Sequence, residues 1–334
     1  MKYPEFLKEK GTIGLVAPSF GIYGTPYRDK YDMAIKKFEE LGYTMKPVEH
    51  VFDFIHSANI STKELEEFYV SDDNDLLISV AGGELMVEIQ GLLNHDTLKN
   101  AKPKWFMGYS DNTNFCFPLT TICDVASIYG INITDFGAYR WDDAIMDTYA
   151  LLKGEKLKFY AYSKCQRVDM KYEKPLASYN YDTDTKWINA LGGESVDIRG
   201  RIIGGCLDCL DTICGTPYDN MRAFCEKYKD DGILFYFEAC DLSPMGVRRT
   251  LWKLKECEWF NHIKGFIIGR ANNPEPAFDY THTDIAVDML KEYNVPIITE
   301  FDTGHVPPMI PIINGAIAHV ISNSNEQSIE YELK

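Results

Sequence analysis

Three side chains of this sequence, Ser110, Glu238 and His305, are of the types that together catalyse acyl transfer. A serine hydroxyl is a poor nucleophile until a base removes its proton, and histidine is the side chain suited to that task near neutral pH. A carboxylate beside the histidine fixes its tautomer and stabilises the imidazolium that forms. The order Ser, Glu, His along the chain is also the order of α/β-hydrolases.

The same chemistry needs two backbone N–H groups that stabilise the developing oxyanion. The amide of Asp111 directly follows the serine and would supply one of them. Gly83 would supply the other, because a glycine lets the backbone approach a reacting carbonyl closely. These two amides are therefore the candidate oxyanion hole.

Each of these residues also has an ordinary structural explanation. Ser110 is a residue type common in turns and helix caps, and His305 could be an ordinary solvated residue of a loop. Glu238 ends an apolar strand, where a charge is costly unless it is paired, so a structural ion pair is an alternative. Gly82-Gly83 suits a simple turn or a phosphate-binding loop. An ordinary α/β-hydrolase elbow is disfavoured, because Asn112 replaces the second glycine of G-x-S-x-G.

The elements that would position these residues alternate between strand and helix patterns in the first third of the chain. The predicted strands are "TIGLVAP" (12–18), "DLLISVAGG" (75–83) and "KWFMG" (104–108). Ser61 and Glu64 form a capping-box pattern that predicts a helix start, and "MVEIQGLL" is a further predicted helix. This rhythm predicts a parallel sheet flanked by helices within residues 1–150.

The remainder of the chain divides into two parts by its pattern. Residues 151–190 are polar and poorly periodic, which is typical of a connection and a substrate-side loop. Residues 191–334 return to strands, among them "GILFYFEAC" (232–240) and "VPIIT" (295–299), and end in a predicted hairpin, "AIAHVISN" followed by "SIEYEL". Function gathers at the carboxyl ends of parallel strands. Gly83 and Glu238 stand at the ends of predicted strands, and Ser110 and His305 follow predicted strands. We expect Ser110 to occupy a tight, strained turn.

The bulk composition argues against several classes of partner. A formal net charge of -16 without a basic cluster disfavours nucleic acid and anionic lipid as partners. The N-terminus has no signal-peptide core, and no stretch is apolar enough to cross a membrane, so we expect a cytoplasmic protein. The nine cysteines fit reduced thiols. Cys206, Cys209 and Cys214 suggest zinc only weakly, because no histidine lies at ligand spacing, and a packed helix explains them better. We likewise place His282 at a helix start.

Four segments carry a family resemblance: "VAGGE", "GYSDNTNF", "LFYFEACD" and "DTGHVPPMIP". They resemble the signature segments of the LD-carboxypeptidase family of serine peptidases, and the similarity extends over "RGRIIGGCLDCLDTICGTPYD" and "NHIKGFIIGR". The sequence looks most similar to the branch of the microcin C self-immunity carboxypeptidases. The resemblance implies a Ser110–Glu238–His305 triad and an oxyanion hole from Gly83 and Asp111. It also implies a flavodoxin-like N-terminal domain, a smaller β-rich C-terminal domain, a site in the interdomain cleft and a homodimer.

The substrate is less well defined by the sequence. The immunity branch commonly has a polar turn after the glycine pair, whereas this chain has Glu84-Leu85-Met86-Val87. The branch also has an adenine-stacking tryptophan, for which Trp187 is the candidate. An arginine fork would recognise a substrate carboxylate, and the candidates are Arg140, Arg248 and Arg270.

The sequence thus predicts a serine carboxypeptidase that acts without metal or cofactor. Its substrate would be a muropeptide or an aminoacyl-nucleotide. The alternative is a catalytically silent two-domain protein that binds a small acidic ligand.

Overall fold

The fold is known from a computed structural model, which describes residues 1–169 and 171–334. The contacts between residues divide the chain into two compact units. The first unit comprises Met1–Lys156, Val168–Asn180 and Ile310–Ile312. The second comprises Leu157–Arg167, Tyr181–Met309 and Ile313–Lys334. The segment 151–190, expected to be a connection, is therefore shared between the two units.

The first unit alternates strands and helices in the predicted manner. Its elements up to residue 156 are β1 (Thr12–Val16), α1 (Tyr27–Glu40), β2 (Thr44–Pro47), α2 (Ala58–Val70), β3 (Leu76–Ser79), α3 (His95–Asn100), β4 (Trp105–Gly108), α4 (Thr113–Thr121), β5 (Ser127–Tyr129) and α5 (Asp143–Leu152). Short 3-10 turns occur at Met86–Ile89, Ser110–Asn112 and Ile133–Gly137.

The second unit is richer in strands. Its elements, in chain order, are β6 (Lys158–Tyr160), β7 (Lys164–Cys165), β8 (Thr183–Asp184), β9 (Ile188–Asn189), β10 (Ser195–Cys206), α6 (Leu207–Ile213), α7 (Met221–Lys227), β11 (Ile233–Glu238), α8 (Pro244–Glu256), β12 (Ile263–Gly269), α9 (His282–Leu290), β13 (Ile297–Phe301), β14 (Ile312–Asn314), β15 (Ile317–Asn323) and β16 (Gln327–Glu332). A 3-10 turn, Lys291–Tyr293, follows α9. The first residue of β14 belongs to the first unit.

The sheet of the first unit has the strand order β14-β5-β4-β3-β1-β2. The pairs from β5 to β2 are all parallel. Strands β3 and β4 are buried along their whole length, as expected when helices cover both faces of a parallel sheet. Because β3 and β4 are neighbours, the loops that follow them leave the sheet side by side.

The larger sheet of the second unit has the order β6-β16-β15-β10-β11-β12-β13-β9. Strands β10 to β13 are parallel, and β15 and β16 form the predicted antiparallel hairpin. The predicted class, α/β with a parallel-sheet N-terminal region and a second, β-rich part, is confirmed. None of the helices in the described ranges is both long enough and apolar enough to cross a membrane.

Two local predictions in the first unit are wrong. Helix α2 begins at Ala58, where the Ser57 hydroxyl accepts a hydrogen bond from the Ile60 amide at 3.4 Å, so Ser61 lies inside the helix and is buried. The predicted helix "MVEIQGLL" is only the 3-10 turn Met86–Ile89, because Gly91 disfavours its continuation. His282, by contrast, is the first residue of α9, as predicted.

Candidate active site

In the first unit, the loop after β3 contacts the turn after β4. We call residues 81–86 the glycine loop and residues 109–112 the serine turn. A Cβ added to Gly82 would lie 3.1 Å from Ser110 Cβ and 3.2 Å from Ser110 Oγ. The predicted nucleophile and the predicted oxyanion-hole segment are therefore neighbours, as the strand order requires.

The backbone of Ser110 is strained. Its φ is 63°, in the left-handed region that residues other than glycine rarely adopt, at a cost of about 1–3 kcal/mol. The residue opens a 3-10 turn that leads from β4 into α4. The Ser110 N–H donates a hydrogen bond to the Tyr129 hydroxyl at 3.1 Å, and the side chain is partly exposed. Ser110 thus occupies the tight, strained turn that the sequence predicts.

The side chain of Asp111 ties the serine turn to the glycine loop. One carboxylate oxygen accepts hydrogen bonds from the Ser19 hydroxyl at 2.5 Å and from the Met86 amide at 2.9 Å. The other accepts from the Asn114 side chain at 2.8 Å. The Ser19 hydroxyl in turn accepts from the Leu85 amide at 3.1 Å. This buried network fixes the path of the backbone beside the serine.

Only glycine fits at position 83. Its φ is +145°, and an added Cβ would lie 2.2 Å from Ser19 Oγ and 2.8 Å from the Phe20 ring. Nearby, the Asn112 side chain donates to the carbonyls of Ala81 and Tyr109 at 3.0 and 2.9 Å. The residue that breaks the G-x-S-x-G pattern therefore holds the serine turn through its amide group.

The structure explains the residues that follow the glycine pair. Glu84 is exposed, whereas Met86 is fully buried. The amides of Leu85 and Met86 are bonded to Ser19 and Asp111. Leu85 and Met86 thus anchor the glycine loop to the core of the unit, whereas Val87 is exposed.

In the second unit, Glu238 and His305 form a hydrogen-bonded pair. Glu238 ends β11 and is fully buried, and its Oε2 lies 2.9 Å from His305 Nδ1. The His305 side chain keeps 15% of its surface exposed. A histidine held by a completely buried carboxylate is not an ordinary solvated loop residue, and a carboxylate in this place orients the ring.

Two glycines let the loop of His305 reach Glu238 across the intervening strand β12. A Cβ on Gly269, at the end of β12, would lie 2.4 Å from the Thr303 carbonyl and 2.9 Å from Glu238 Cβ. A Cβ on Gly304, which has φ +100°, would lie 2.5 Å from Glu238 Cγ. The pair thus depends on close approach at both positions.

Burial opposes the charging of His305, but its neighbours outweigh that effect. The Glu238 carboxylate, followed by the Cys240 thiol, raises the pKa of His305 well above its usual value. Burial also raises the pKa of the Cys240 thiol, which His305 counteracts. The site therefore stabilises the imidazolium, the form that His305 takes once it has accepted a proton, and disfavours the Cys240 thiolate.

Arg270 is completely buried and is bonded to the loop that carries His305. Its guanidinium pairs with Asp302 at 2.7 Å and donates to the carbonyls of Glu300, Val306 and Pro308 at 3.1, 3.3 and 3.0 Å. All of these bonds lie within the second unit. As an internal clamp, this arginine is not available as a carboxylate-binding fork.

Trp187 is also buried, with 2% of its surface exposed. Its Nε1–H donates to Asp302 at 2.8 Å, and its ring packs on Phe301 with centroids 4.2 Å apart. The indole thus supports the same clamp rather than standing in an open loop. Of the other candidates, Arg140 is exposed, and Arg248 lies on the exposed face of α8, paired with Asp288 at 3.0 Å.

Four residues that position the site were missed by the sequence reasoning: Ser19, Asn112, Tyr129 and Cys240. Ser19 and Tyr129 belong to other strand ends, so no local pattern links them to Ser110. The sequence did offer a signal for Cys240, because it lies two residues after the candidate catalytic residue Glu238. Among the side chains that the structure describes, no group of three or more His, Cys, Asp or Glu residues could hold a metal ion.

The chain matches two family models, and together they span most of its length. Residues 13–130 match the LD-carboxypeptidase N-terminal domain, which includes Ser110 and Gly83. Residues 199–320 match the LD-carboxypeptidase C-terminal domain, which includes Glu238 and His305. The chain belongs to the LD-carboxypeptidase family. It is accordingly a hydrolase, a carboxypeptidase of the serine type.

This LD-carboxypeptidase is similar to other proteins in sequence and in fold. It is 22% identical to the "Probable murein peptide carboxypeptidase" of Bacillus subtilis, over 94% of this chain and 90% of that protein. An MccF-like protein from Bacillus anthracis has the same fold, with a TM-score of 0.84, 20% identity and complete coverage of both chains. MccF in complex with glutamyl sulfamoyl guanosine follows with a TM-score of 0.82, 18% identity and coverage of 99% and 98%.

Proposed function

We propose that this carboxypeptidase acts in the cytoplasm through a triad of Ser110, Glu238 and His305, which hydrolyses a small amide through an acyl-enzyme. The buried Glu238–His305 pair is the observation that carries the proposal. A fully buried carboxylate that is hydrogen-bonded to a partly exposed imidazole is the acid–base half of such a triad. A catalytically silent binding protein would have no need for that pair.

The proposed reaction begins with a proton transfer. Since Nδ1 of His305 is bonded to Glu238, Nε2 is the ring nitrogen that accepts the Ser110 proton. Oγ of Ser110 forms a bond to the carbonyl carbon of the amide, and the carbonyl π electrons move to the oxygen. The resulting oxyanion is stabilised by the N–H groups of Gly83 and Asp111.

The tetrahedral intermediate then collapses. Its C–N bond breaks, and His305 returns the proton to the leaving amine, which leaves an ester on Ser110. Water, deprotonated by the same imidazole, attacks the ester carbonyl. The bond between the acyl carbon and Ser110 Oγ then breaks, the acid product leaves, and the imidazolium returns the proton to Oγ. Glu238 remains ionised throughout and stabilises the imidazolium in both halves of the reaction.

The substrate we propose is a muropeptide or an aminoacyl-nucleotide with a free carboxylate close to the scissile amide. Support for the first comes from the relative named as a murein peptide carboxypeptidase. Support for the second comes from the structural neighbour bound to glutamyl sulfamoyl guanosine. Arg140 and Arg248 are the exposed candidates for the carboxylate, and Glu84 is the exposed polar side chain of the glycine loop.

The proposal is tested by assaying the purified, chelator-treated protein against a tetrapeptide muropeptide and an aminoacyl-sulfamoyl adenosine. Ser110→Ala is the control, and an ester on Ser110, trapped by acid quench and found by mass spectrometry, is the direct signature. Turnover of either substrate that Ser110→Ala abolishes supports the triad. Activity lost on chelation and restored by zinc refutes it, and binding without turnover favours the silent binding protein. We also propose that the protein is a homodimer, as the family resemblance implies, and light scattering on the same sample tests this.

A further inference from the structure

The loop that follows Glu238 is held by a single carboxylate. Residues 239–243 connect β11 to α8, and we call them the β11–α8 loop. Oδ1 of Asp208 accepts the N–H groups of Asp241 and Leu242, both at 2.9 Å. Oδ2 of Asp208 accepts the N–H group of Cys240 at 3.0 Å. Bonds from backbone N–H groups to an ionised carboxylate are roughly twice as strong as bonds between neutral groups, so Asp208 determines the path of this loop.

The pairing of β10 with β11 places Asp208 beside the β11–α8 loop. The two strands are parallel, and Cys206, the last residue of β10, lies opposite Glu238, the last residue of β11. Two residues farther along each chain segment, Asp208 therefore lies beside Cys240. The Cys206 thiol also donates to Asp208 Oδ2, at 3.5 Å. The Cys-x-x-Cys segment that suggests zinc only weakly thus encloses a carboxylate with a structural task of its own.

The carbonyl groups of the β11–α8 loop have separate partners. The Asn272 N–H donates to the Ala239 carbonyl at 3.0 Å. Nε2–H of His282, a buried residue at the start of α9, donates to the Leu242 carbonyl at 2.6 Å. Loss of the Asp208 carboxylate would therefore release the N–H groups of the loop while its carbonyl contacts remain.

Cys240 connects the β11–α8 loop to the imidazole of the proposed triad. Its thiol is hydrogen-bonded to the His305 ring. Burial opposes the protonation of His305, whereas the Glu238 carboxylate and then the Cys240 thiol raise its pKa. The charged groups bonded to the loop of His305, Arg270 and Asp302, are paired with each other at 2.7 Å. The place of the Cys240 thiol is therefore part of what sets the basicity of the imidazole.

We propose that Asp208 is a positioning residue of the reaction, which holds the Cys240 thiol against the His305 ring through the backbone of the β11–α8 loop. This inference rests on the proposed function, because it takes His305 as the base. Asp208 acts through Cys240 and is not itself a catalytic residue. A displacement of about 1 Å in a supporting segment can lower a rate by about 10²-fold. Removal of the carboxylate should therefore change both the rate and the pKa of His305.

The inference is tested by a titration of His305 that needs no turnover. Protein with isotope-labelled histidine is titrated by NMR, and the His305 signal is the one missing from His305→Ala. Asp208→Asn replaces one of the two acceptor oxygens by an N–H group. Because the thiol raises the pKa of His305, Asp208→Asn should lower that pKa, as Cys240→Ala does. The double variant should have the same pKa as Cys240→Ala, since the thiol that Asp208 positions is then absent.

Kinetics supply the second readout. Asp208→Asn should lower kcat/KM by about 10- to 100-fold and move its acidic limb to lower pH. Asp219→Asn is the matched control. Asp219 also accepts three N–H groups, those of Gly215, Met221 and the Trp259 indole, at 2.9, 3.1 and 2.9 Å. Because these bonds lie outside the β11–α8 loop, Asp219→Asn should leave the acidic limb and the pKa of His305 in place.

Three results would overturn the inference. They are a pKa of His305 that Asp208→Asn leaves unchanged, shifts of Asp208→Asn and Cys240→Ala that add in the double variant, and an equal shift in Asp219→Asn. Asp208→Ser, which keeps one acceptor oxygen, carries the same test if Asp208→Asn does not fold. If neither variant folds while Asp219→Asn does, Asp208 supports the fold and not the site, and the inference is wrong.

Failure of the proposed function has a different signature. The wild-type protein would then hydrolyse neither the muropeptide nor the aminoacyl-sulfamoyl adenosine, whereas the pKa of His305 would still respond to Asp208→Asn and Cys240→Ala as expected. That combination supports the positioning of Cys240 by Asp208 and refutes the hydrolase mechanism.

Discussion

In the first unit, Ser110 is held by backbone geometry, whereas in the second unit Glu238 and His305 are held by burial and charge. Ser110 adopts φ 63°, and its surroundings are backbone amides bonded to Ser19, Asp111 and Tyr129. Glu238 has no exposed surface and raises the pKa of His305. Substitutions in the first region should therefore displace the reacting groups and lower the rate equally at every pH. Substitutions in the second region should change the pH dependence of the rate.

The largest effect is expected from removing one group of each region. Ser110→Ala and His305→Ala should each lower kcat by about 10⁴-fold or more, and the double variant should lose little beyond that, because the two residues act as one unit. The measurement is kcat/KM for the three variants. Losses that multiply in the double variant would separate the two regions functionally and contradict the proposed triad.

Glu238→Gln should lower kcat by about 10³- to 10⁴-fold, because an amide no longer stabilises the imidazolium. Gln has nearly the same size, so contacts with Gly269 and Gly304 are preserved. The carboxylate raises the pKa of His305, so its loss should lower that pKa and move the acidic limb of kcat/KM to lower pH. A residual rate whose acidic limb stays in place would show that Glu238 does not control the imidazole.

Gly83→Ala should lower kcat by about 10²- to 10³-fold, the cost of losing one oxyanion donor. The new Cβ would lie 2.2 Å from Ser19 Oγ, so the amide must move. The acidic limb should not shift, since no charge changes. Gly192→Ala is the matched control: its φ is also positive, at +81°, but its Cβ meets nothing within 4 Å. Equal losses of kcat in the two variants would show that backbone strain, and not the loss of an oxyanion donor, causes the effect.

Arg270→Leu should lower the free energy of unfolding by about 3–5 kcal/mol, because it leaves the Asp302 carboxylate buried without its cationic partner. The comparison is Arg248→Leu, which breaks an exposed pair of similar length and should cost about 0–1 kcal/mol. Denaturant midpoints of both variants decide the matter. If the Arg270→Leu protein is stable and has a raised KM, Arg270 binds the substrate and the clamp role is wrong.

The smallest effect is expected from Cys240→Ala. The thiol raises the pKa of His305, so its removal should shift the acidic limb of kcat/KM slightly to lower pH. The rate at the alkaline plateau should fall less than about tenfold, because the thiol exchanges no proton in the proposed reaction. Cys257→Ala is the control, and an unchanged profile in Cys240→Ala would limit the charge effect to Glu238.

Sequence patterns predicted the strand ends well, because buried strands are short apolar runs that stop at turn residues. The turns at Ser110 and Gly83 followed from that alone. The helix cap was misplaced because Ser57 and Ser61 are equally good capping residues, one turn apart. Neighbouring local signals of equal strength cannot be ranked without the packing that buries Ser61.

The side chains that support the site could not be predicted from local sequence patterns, for a different reason. Asp111 is bonded to Ser19, and Arg270 to Asp302, across long separations in the sequence. An exposed and a buried arginine look the same in a sequence, so Arg140, Arg248 and Arg270 were equivalent candidates. Trp187 similarly gained its role from Asp302, which fixes its indole. Such pairings become visible only once the strand order is known.

The short strand β14 has a consequence for how the protein is made. Ile310–Ile312 belongs to the first unit, and β14 is the edge strand beside β5. On the ribosome, residues 1–156 emerge long before residue 312. At ordinary elongation rates this interval lasts roughly 10 to 30 s. Until then β5 is an unpaired edge that could associate with another chain. A nascent first unit would therefore benefit from a chaperone, and truncation after residue 156 should give an aggregation-prone fragment.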